Sequence, residues 1–321
     1  MVSCILHDLR VIYSQAFMNV VKNEQGAAIL QALLVTVLWS TSWILIVVGL
    51  EQIPALTFAG LRYTLAFGVL LPILLHRKQA THLRDLERGD WVRLLALGVV
   101  YYALTQGTQF VTLQFLPAIT FSLLLNFSAV FVAVLGIPLL KEKPNGQQWL
   151  GMAVFLAGVL VYFAPLTIPA GLFFGYLMAG THVLSNSAAA ILGRVINRSG
   201  RLDPLTVTVV SMGMGAVLLL GTGVLIEGVP HLDGRAWAIV AWLAVVNTAF
   251  AFTLWNHTLR TLSAAQSSMI NNTMLVQIAL LAWIFLGERI TWVEGMGLGI
   301  AMLGTLLVTL RRDVQRLENK R

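Results

Sequence analysis

Long apolar runs, interrupted by short polar and charged stretches, fill most of the chain. A helix needs about 20 apolar residues to cross the hydrocarbon core of a bilayer. Ten runs of roughly that length are read at residues 28–48, 55–75, 92–113, 117–140 and 147–164, then 171–193, 205–226, 236–256, 264–286 and 293–310. Pro54, Pro117, Pro169 and Pro204 stand at the entrances of the second, fourth, sixth and seventh. Proline suits the first turn of a helix, where its missing N–H has no partner to lose. The predicted fold is an all-α membrane protein with ten transmembrane helices.

Composition agrees, with 58% hydrophobic and 11% charged residues in 321. Soluble domains carry about 25% charged residues, so most soluble-enzyme readings are excluded. The single Cys4 allows neither an internal disulfide nor a cysteine metal cluster. Before Gly26 there is no long apolar run, and Asp8, Arg10, Lys22 and Glu24 fall there, so the segment does not read as a signal peptide. Met18 opens a compact segment and is read as the biological start; a peptide from residues 1–17 in native protein would refute this.

The net charge of +7 acquires a meaning once the basic residues are placed between the helices. Ten passes put both termini on one side, and eighteen of the twenty-one lysines and arginines fall on that side. Only Arg235 and Arg289 lie opposite, and Arg62 alone lies inside a span. By the positive-inside rule both termini face the cytoplasm. Membrane orientation accounts for the basic charge, and no nucleic-acid partner is expected; the partners expected are the lipid bilayer of the cell membrane and a small-molecule substrate.

Displacing the chain against itself by 146 residues superposes helices three to five on helices eight to ten. Thr112 then meets Thr258, Ser122 meets Ser268, Asn126 meets Asn272, Glu142 meets Glu288, Gly151 meets Gly297 and Gly158 meets Gly304. Ordered matches at polar and glycine positions point to duplication. An odd number of helices per copy makes the second enter the membrane from the opposite side, so the repeats are inverted. Such repeats allow two related conformations around a site near mid-membrane, which favours transport over catalysis. The expected organisation is a cytoplasmic segment over 1–26, five-helix repeats over 27–165 and 166–310, and a cytoplasmic tail over 311–321.

WSTSW (Trp39–Trp43) in the first helix, GLRYTLA (Gly60–Ala66) in the second, and LLKEKPNGQQWLG (Leu139–Gly151) with its counterpart FLGERITWVEGMG (Phe285–Gly297) resemble the EamA-type branch of the drug/metabolite transporter superfamily. The likeness covers nearly everything after Met18. It implies secondary transport through a central cavity, often export of amino acids or related metabolites. The second copy departs from the pattern, since the position matching Arg62 falls near Met212.

Polar side chains inside a span are candidate site residues, because lipid offers them no hydrogen bonds. Ser122 and Asn126 are four apart on one helical face, and Ser268 and Asn272 repeat the arrangement. His182 and Asn186 share a face of the sixth helix, and Trp39 and Trp43 a face of the first, with Ser40 and Ser42 between them. Aromatic faces suit a cation or a flat apolar group, and amide and imidazole groups orient a polar end. Tyr101, Gln106 and Gln109 on the third helix, with Trp255 and Asn256 on the eighth, complete the set. The substrate-contact candidates are thus Trp39, Ser42, Tyr101, Gln109, Ser122, Asn126, His182, Asn186, Trp255, Asn256, Ser268 and Asn272. Interhelical packing competes for each of them.

Arg62 is read first as a structural anchor bonded to helix carbonyls and second as a partner for a substrate carboxylate, with Tyr63 pointing elsewhere. Glu142 and Glu288, at helix ends, are expected to fix the turn into the next helix. Gly151, Gly158, Gly297 and Gly304 mark a small-residue seam for close helix approach. No acidic residue falls in the middle of a span, so transport is expected to be uncoupled or coupled to protons through His182 or His257. No cofactor, metal or catalytic residue is expected, because no nucleophile, base or ligand set converges at helical spacing. A membrane-embedded enzyme and a non-transporting receptor or scaffold are the rival readings.

Overall fold

The computed structural model describes residues 24–76, 86–140, 144–164, 170–198, 202–259, 261–262 and 264–309. Lys141, Glu142 and Lys143 lie outside them, as do Met18 and Pro169. All regular structure among the described residues is helical, as a chain in lipid requires when every backbone group must be satisfied internally.

Ten helical passes follow one another among the described residues. The first repeat comprises α1 (Glu24–Gly49), α2 (Ala55–His76), α3 (Arg88–Phe115), α4 (Ala118–Leu125 and Phe127–Leu140) and α5 (Gly146–Tyr162). The second comprises α6 (Phe173–Arg198), α7 (Pro204–Glu227), α8 (Gly234–Ala244, Val245–Phe250 and Ala251–Thr258), α9 (Ala264–Asn272 and Met274–Phe285) and α10 (Trp292–Thr309). Six are long and apolar enough to cross a membrane, and three more are shorter apolar helices. The tenth, α6, is long but studded with polar residues along Thr181–Ser187.

Four helices depart from the uninterrupted spans that hydropathy predicts, and they do so in repeat-related pairs. α3 winds as a π-helix over Gly98–Thr105 and α8 over Val245–Phe250. In each, a threonine hydroxyl donates to the carbonyl five residues back, Thr105 to Val100 and Thr248 to Leu243, both at 2.8 Å. α4 breaks at Asn126 and α9 at Thr273, where the ladder tightens to three-residue bonds, Asn126 N to Leu123 O and Thr273 N to Ile270 O, both 3.1 Å. A side chain covers a carbonyl beside each break: Asn126 Nδ2 donates to Ser122 O (2.8 Å) and Thr273 Oγ1 to Ile270 O (2.6 Å). A polar side chain inserted into the ladder is a recognised cause of such interruptions.

α2 packs on its repeat counterpart α7 and α5 on α10, and α4 also touches its counterpart α9. The α5–α10 contact is the predicted glycine seam. A Cβ on Gly151 would lie 2.7 Å from Val308 N, and one on Gly158 would lie 2.7 Å from Gly297 O. Backbones therefore touch where a side chain would separate them.

Helix starts are capped in two ways. Asn145 and Gln148 form a reciprocal capping box on α5, and Asp203 and Asp233 cap α7 and α8. The start of α2 is served instead by Glu227, at the end of α7, which accepts from Leu56 N (3.1 Å) and Thr57 N (2.9 Å). Glu288, beyond α9, accepts from Ala118 N (2.7 Å) and Ile119 N (3.0 Å) at the start of α4. The turn role expected for Glu288 is corrected: its carboxylate secures a helix of the other repeat, where the N-terminal dipole favours an anion.

Candidate functional site

Between the two repeats lies a cavity of about 180 Å3. α1 supplies Trp39, Ser42 and Trp43; α2 supplies Arg62 and Tyr63; α3 supplies Tyr101, Thr105, Gln106 and Gln109; α4 supplies Leu125. From the second repeat come His182 and Asn186 on α6, Phe252 on α8 and Met274 on α9.

The aromatic side of the wall is held by ring packing. Trp39 lies against Phe252 at 5.4 Å and Trp255 at 5.2 Å, and Trp43 against Phe121 at 5.0 Å. Trp39 Nε1 is buried without a hydrogen-bond partner among the described residues, an expensive state for a donor away from water. Tyr63 donates its hydroxyl to Gln106 Oε1 at 2.7 Å, and its ring meets Tyr102 edge-on at 5.6 Å.

The polar side depends on the two π-turns. His182 Nδ1 lies 2.8 Å from the carbonyl of Thr105, and since a carbonyl can only accept, Nδ1 carries the proton and donates. Thr105 Oγ1 also lies 2.9 Å from Ser185 Oγ, one turn along α6. Asn186 Nδ2 donates to Ser128 Oγ at 3.2 Å, tying α6 to α4. Winding to π releases backbone carbonyls from the regular ladder, and such turns are frequent at functional sites.

Arg62 is buried with 4% exposure. Its Nε donates to Thr248 Oγ1 at 3.0 Å and its Nη1 to Ser42 Oγ at 2.9 Å. The expected carbonyl partners are thus replaced by two hydroxyls, one on α1 and one in the π-turn of α8. Tyr63 is not turned away from it: the guanidinium lies 5.2 Å from the centre of that ring, because the long side chain folds back across its neighbour. Among the described residues the guanidinium makes no ion pair.

Of the candidates read from sequence, Trp39, Ser42, Tyr101, Gln109, His182 and Asn186 meet in this cavity. Trp255 stands behind Trp39 and does not line it. Ser122 donates to Ile119 O at 2.8 Å and Asn126 to Ser122 O, so both spend their bonds inside α4 and neither lines the wall. Asn272, at the α9 break, is half-buried and outside the lining. The side chains of Asn256 and Ser268 lie outside the described residues. Sequence reasoning passed over Thr105, Leu125, Phe252 and Met274. It also missed the bridge by which Gln277 of α9 reaches Thr36 Oγ1 (3.2 Å) and Ser40 Oγ (2.9 Å) on α1. The i, i+4 spacing of Thr36 and Ser40 was its only signal.

The EamA-like transporter family model matches residues 26–164 and again 173–310, once over each five-helix set. The chain belongs to the EamA-like transporter family. It is therefore a multi-pass membrane transporter and not an enzyme. Among its relatives are the uncharacterized transporter YoaV of Bacillus subtilis, 28% identical over 263 residues, covering 80% of this chain and 88% of that one. The uncharacterized inner membrane transporter YedA of Escherichia coli is 25% identical over 291 residues, 85% and 88% of the two chains. The probable amino-acid metabolite efflux pump of Escherichia coli is 24% identical over 282 residues, 85% and 91%. A crystal structure 20% identical to this chain shares the fold, with a TM-score of 0.66 over 90% of this chain and 100% of the other.

Proposed function

We propose that this EamA-family transporter exports small metabolites of amino-acid size across the cell membrane by alternating access, with both termini in the cytoplasm. The cavity carries the reading, because helices of both repeats close it and a relative movement of the repeats would expose it to either side in turn. Its 180 Å3 falls below the roughly 300–1,000 Å3 of pockets that hold drug-sized ligands. Polar groups at one side and aromatic rings at the other suit a molecule with a polar head and an apolar body. Kinship with a probable amino-acid metabolite efflux pump supports the substrate class, and the concentration of basic residues on one side supports the orientation.

Trp39, Ser42, Tyr101, Gln109, His182 and Asn186 are the proposed substrate contacts. The test is counterflow in liposomes preloaded with individual unlabelled amino acids. Saturable uptake of the matching labelled compound is expected, and replacing Asn186 by Leu should reduce it with folded yield maintained. Flat traces for every amino acid and every related small metabolite would remove the reading. Alkaline phosphatase fusions at the α1–α2 and α9–α10 loops should be active, and a fusion at the C-terminus inactive.

A further inference from the structure

We infer that Arg62 is the anchor for a carboxylate on the cargo, so that the cavity selects carboxylates over their amides, esters and amines. The inference rests on the transport reading above and names the group that reading leaves open.

A guanidinium offers five N–H donors in a planar fork. Two are spent on the neutral hydroxyls of Thr248 and Ser42, which fix its plane without cancelling its charge. No described aspartate or glutamate pairs with it, and none lines the cavity. Of the described acidic residues of α7 and α9–α10, Glu227 and Glu288 are committed to the starts of α2 and α4, and Glu294 to the first turn of α10, where it accepts from Thr291. A buried cation held by two hydroxyls and the Tyr63 ring but by no described anion is costly, and a carboxylate arriving in the cavity supplies the missing negative charge. The fork geometry of arginine matches a carboxylate oxygen pair, which a lone hydroxyl or amide does not.

Arg62 belongs to the first repeat, and its two hydroxyl partners come from one repeat each: Ser42 from α1 and Thr248 from the π-turn of α8. Those two bonds use two of its five N–H donors, and the guanidinium also lines the space between the repeats. Trp39, also in the lining, has a buried indole N–H with no partner among the described residues, and no carboxylate among them lines the cavity. A primary amine without a carboxylate would face the guanidinium's like charge with nothing to offset it.

The experiment varies the ligand first, so that it holds whatever the variants do. Wild-type protein in liposomes is assayed by counterflow with phenylalanine, 3-phenylpropionate, phenylalaninamide and 2-phenylethylamine, and with the corresponding leucine set. At least one carboxylate should be carried about tenfold or more faster than its amide and amine, as expected where a buried polar group would otherwise be left unpaired. Arg62→Lys should retain part of the rate and Arg62→Gln should lose the carboxylate preference, with yield of monodisperse protein recorded for both. Equal transport of carboxylate and amide, or transport of the amines alone, overturns the inference while leaving transport intact. If no compound moves, quenching of tryptophan fluorescence in detergent separates the two readings. Saturable quenching by 3-phenylpropionate but not by 2-phenylethylamine, lost in Arg62→Gln, would sustain the anchor and sink amino-acid-size export; no quenching by either would sink both.

Discussion

Trp39 is held between two rings of α8 with its indole N–H unanswered among the described residues, which makes it a direct probe of whether the cavity receives a hydrogen-bond acceptor. Trp39→Phe keeps a ring against Phe252 and Trp255 and removes only the donor. Loss of a single buried hydrogen bond is worth about 1 kcal/mol, so cargo affinity should fall several-fold with the unfolding temperature unchanged; equal affinity in a binding titration would show that the N–H meets no cargo. His182 has a different task, since its Nδ1–H is committed to the Thr105 carbonyl. His182→Ala should slow transport while leaving its response to an imposed proton gradient as it was, and a lost response would make this histidine the coupler. How far such roles can be read from sequence depends on distance along the chain. The depth of Arg62 in its span was plain, but its partners lie 20 and 186 positions away. Ser122 and Asn126 were correctly placed on one face, yet spacing cannot reveal that each turns back on its own helix.

At the level of helices, hydropathy located all ten passes because lipid imposes one requirement on every outward surface. It was blind to the π-turns of α3 and α8, which change the hydrogen bonding of a helix without changing its polarity. The repeats themselves were legible as paired glycines, and their packing gives a sharp contrast. Gly158→Ala places a methyl group against the backbone of α10, whereas a Cβ on Gly136 meets nothing within 4 Å. Overpacking costs about 1–3 kcal/mol, so Gly158→Ala should lower the unfolding temperature by several degrees and Gly136→Ala should not, as followed by size-exclusion after heating. The carboxylate of Glu288 at the start of α4 is a second element-level target. Glu288→Gln keeps one acceptor and loses the charge, at a cost of about 1 kcal/mol. Equal thermal stability of this variant and the parent would mean that the two bonds to α4 contribute little.

Over the whole molecule, two inverted copies of five helices share one cavity, and the two halves are not equivalent within it. The first contributes the arginine and most of the lining, while the second contributes the histidine, the asparagine and the threonine that steadies the guanidinium. This asymmetry follows from the sequence, where the place of Arg62 falls near Met212 in the second copy, but its outcome depends on which helices meet, and that only the fold decides. A cavity whose described lining carries one fixed positive charge and no acidic residue also has an electrical consequence. If the cargo leaves as a monoanion, each cycle carries one negative charge outward. A cell interior at negative voltage then drives export by about 2.3 kcal/mol per 100 mV, with no proton or sodium ion required. In potassium-loaded vesicles with valinomycin, an interior-negative voltage should accelerate efflux of 3-phenylpropionate and an interior-positive one should slow it. Insensitivity to voltage would mean that the charge is balanced by another ion.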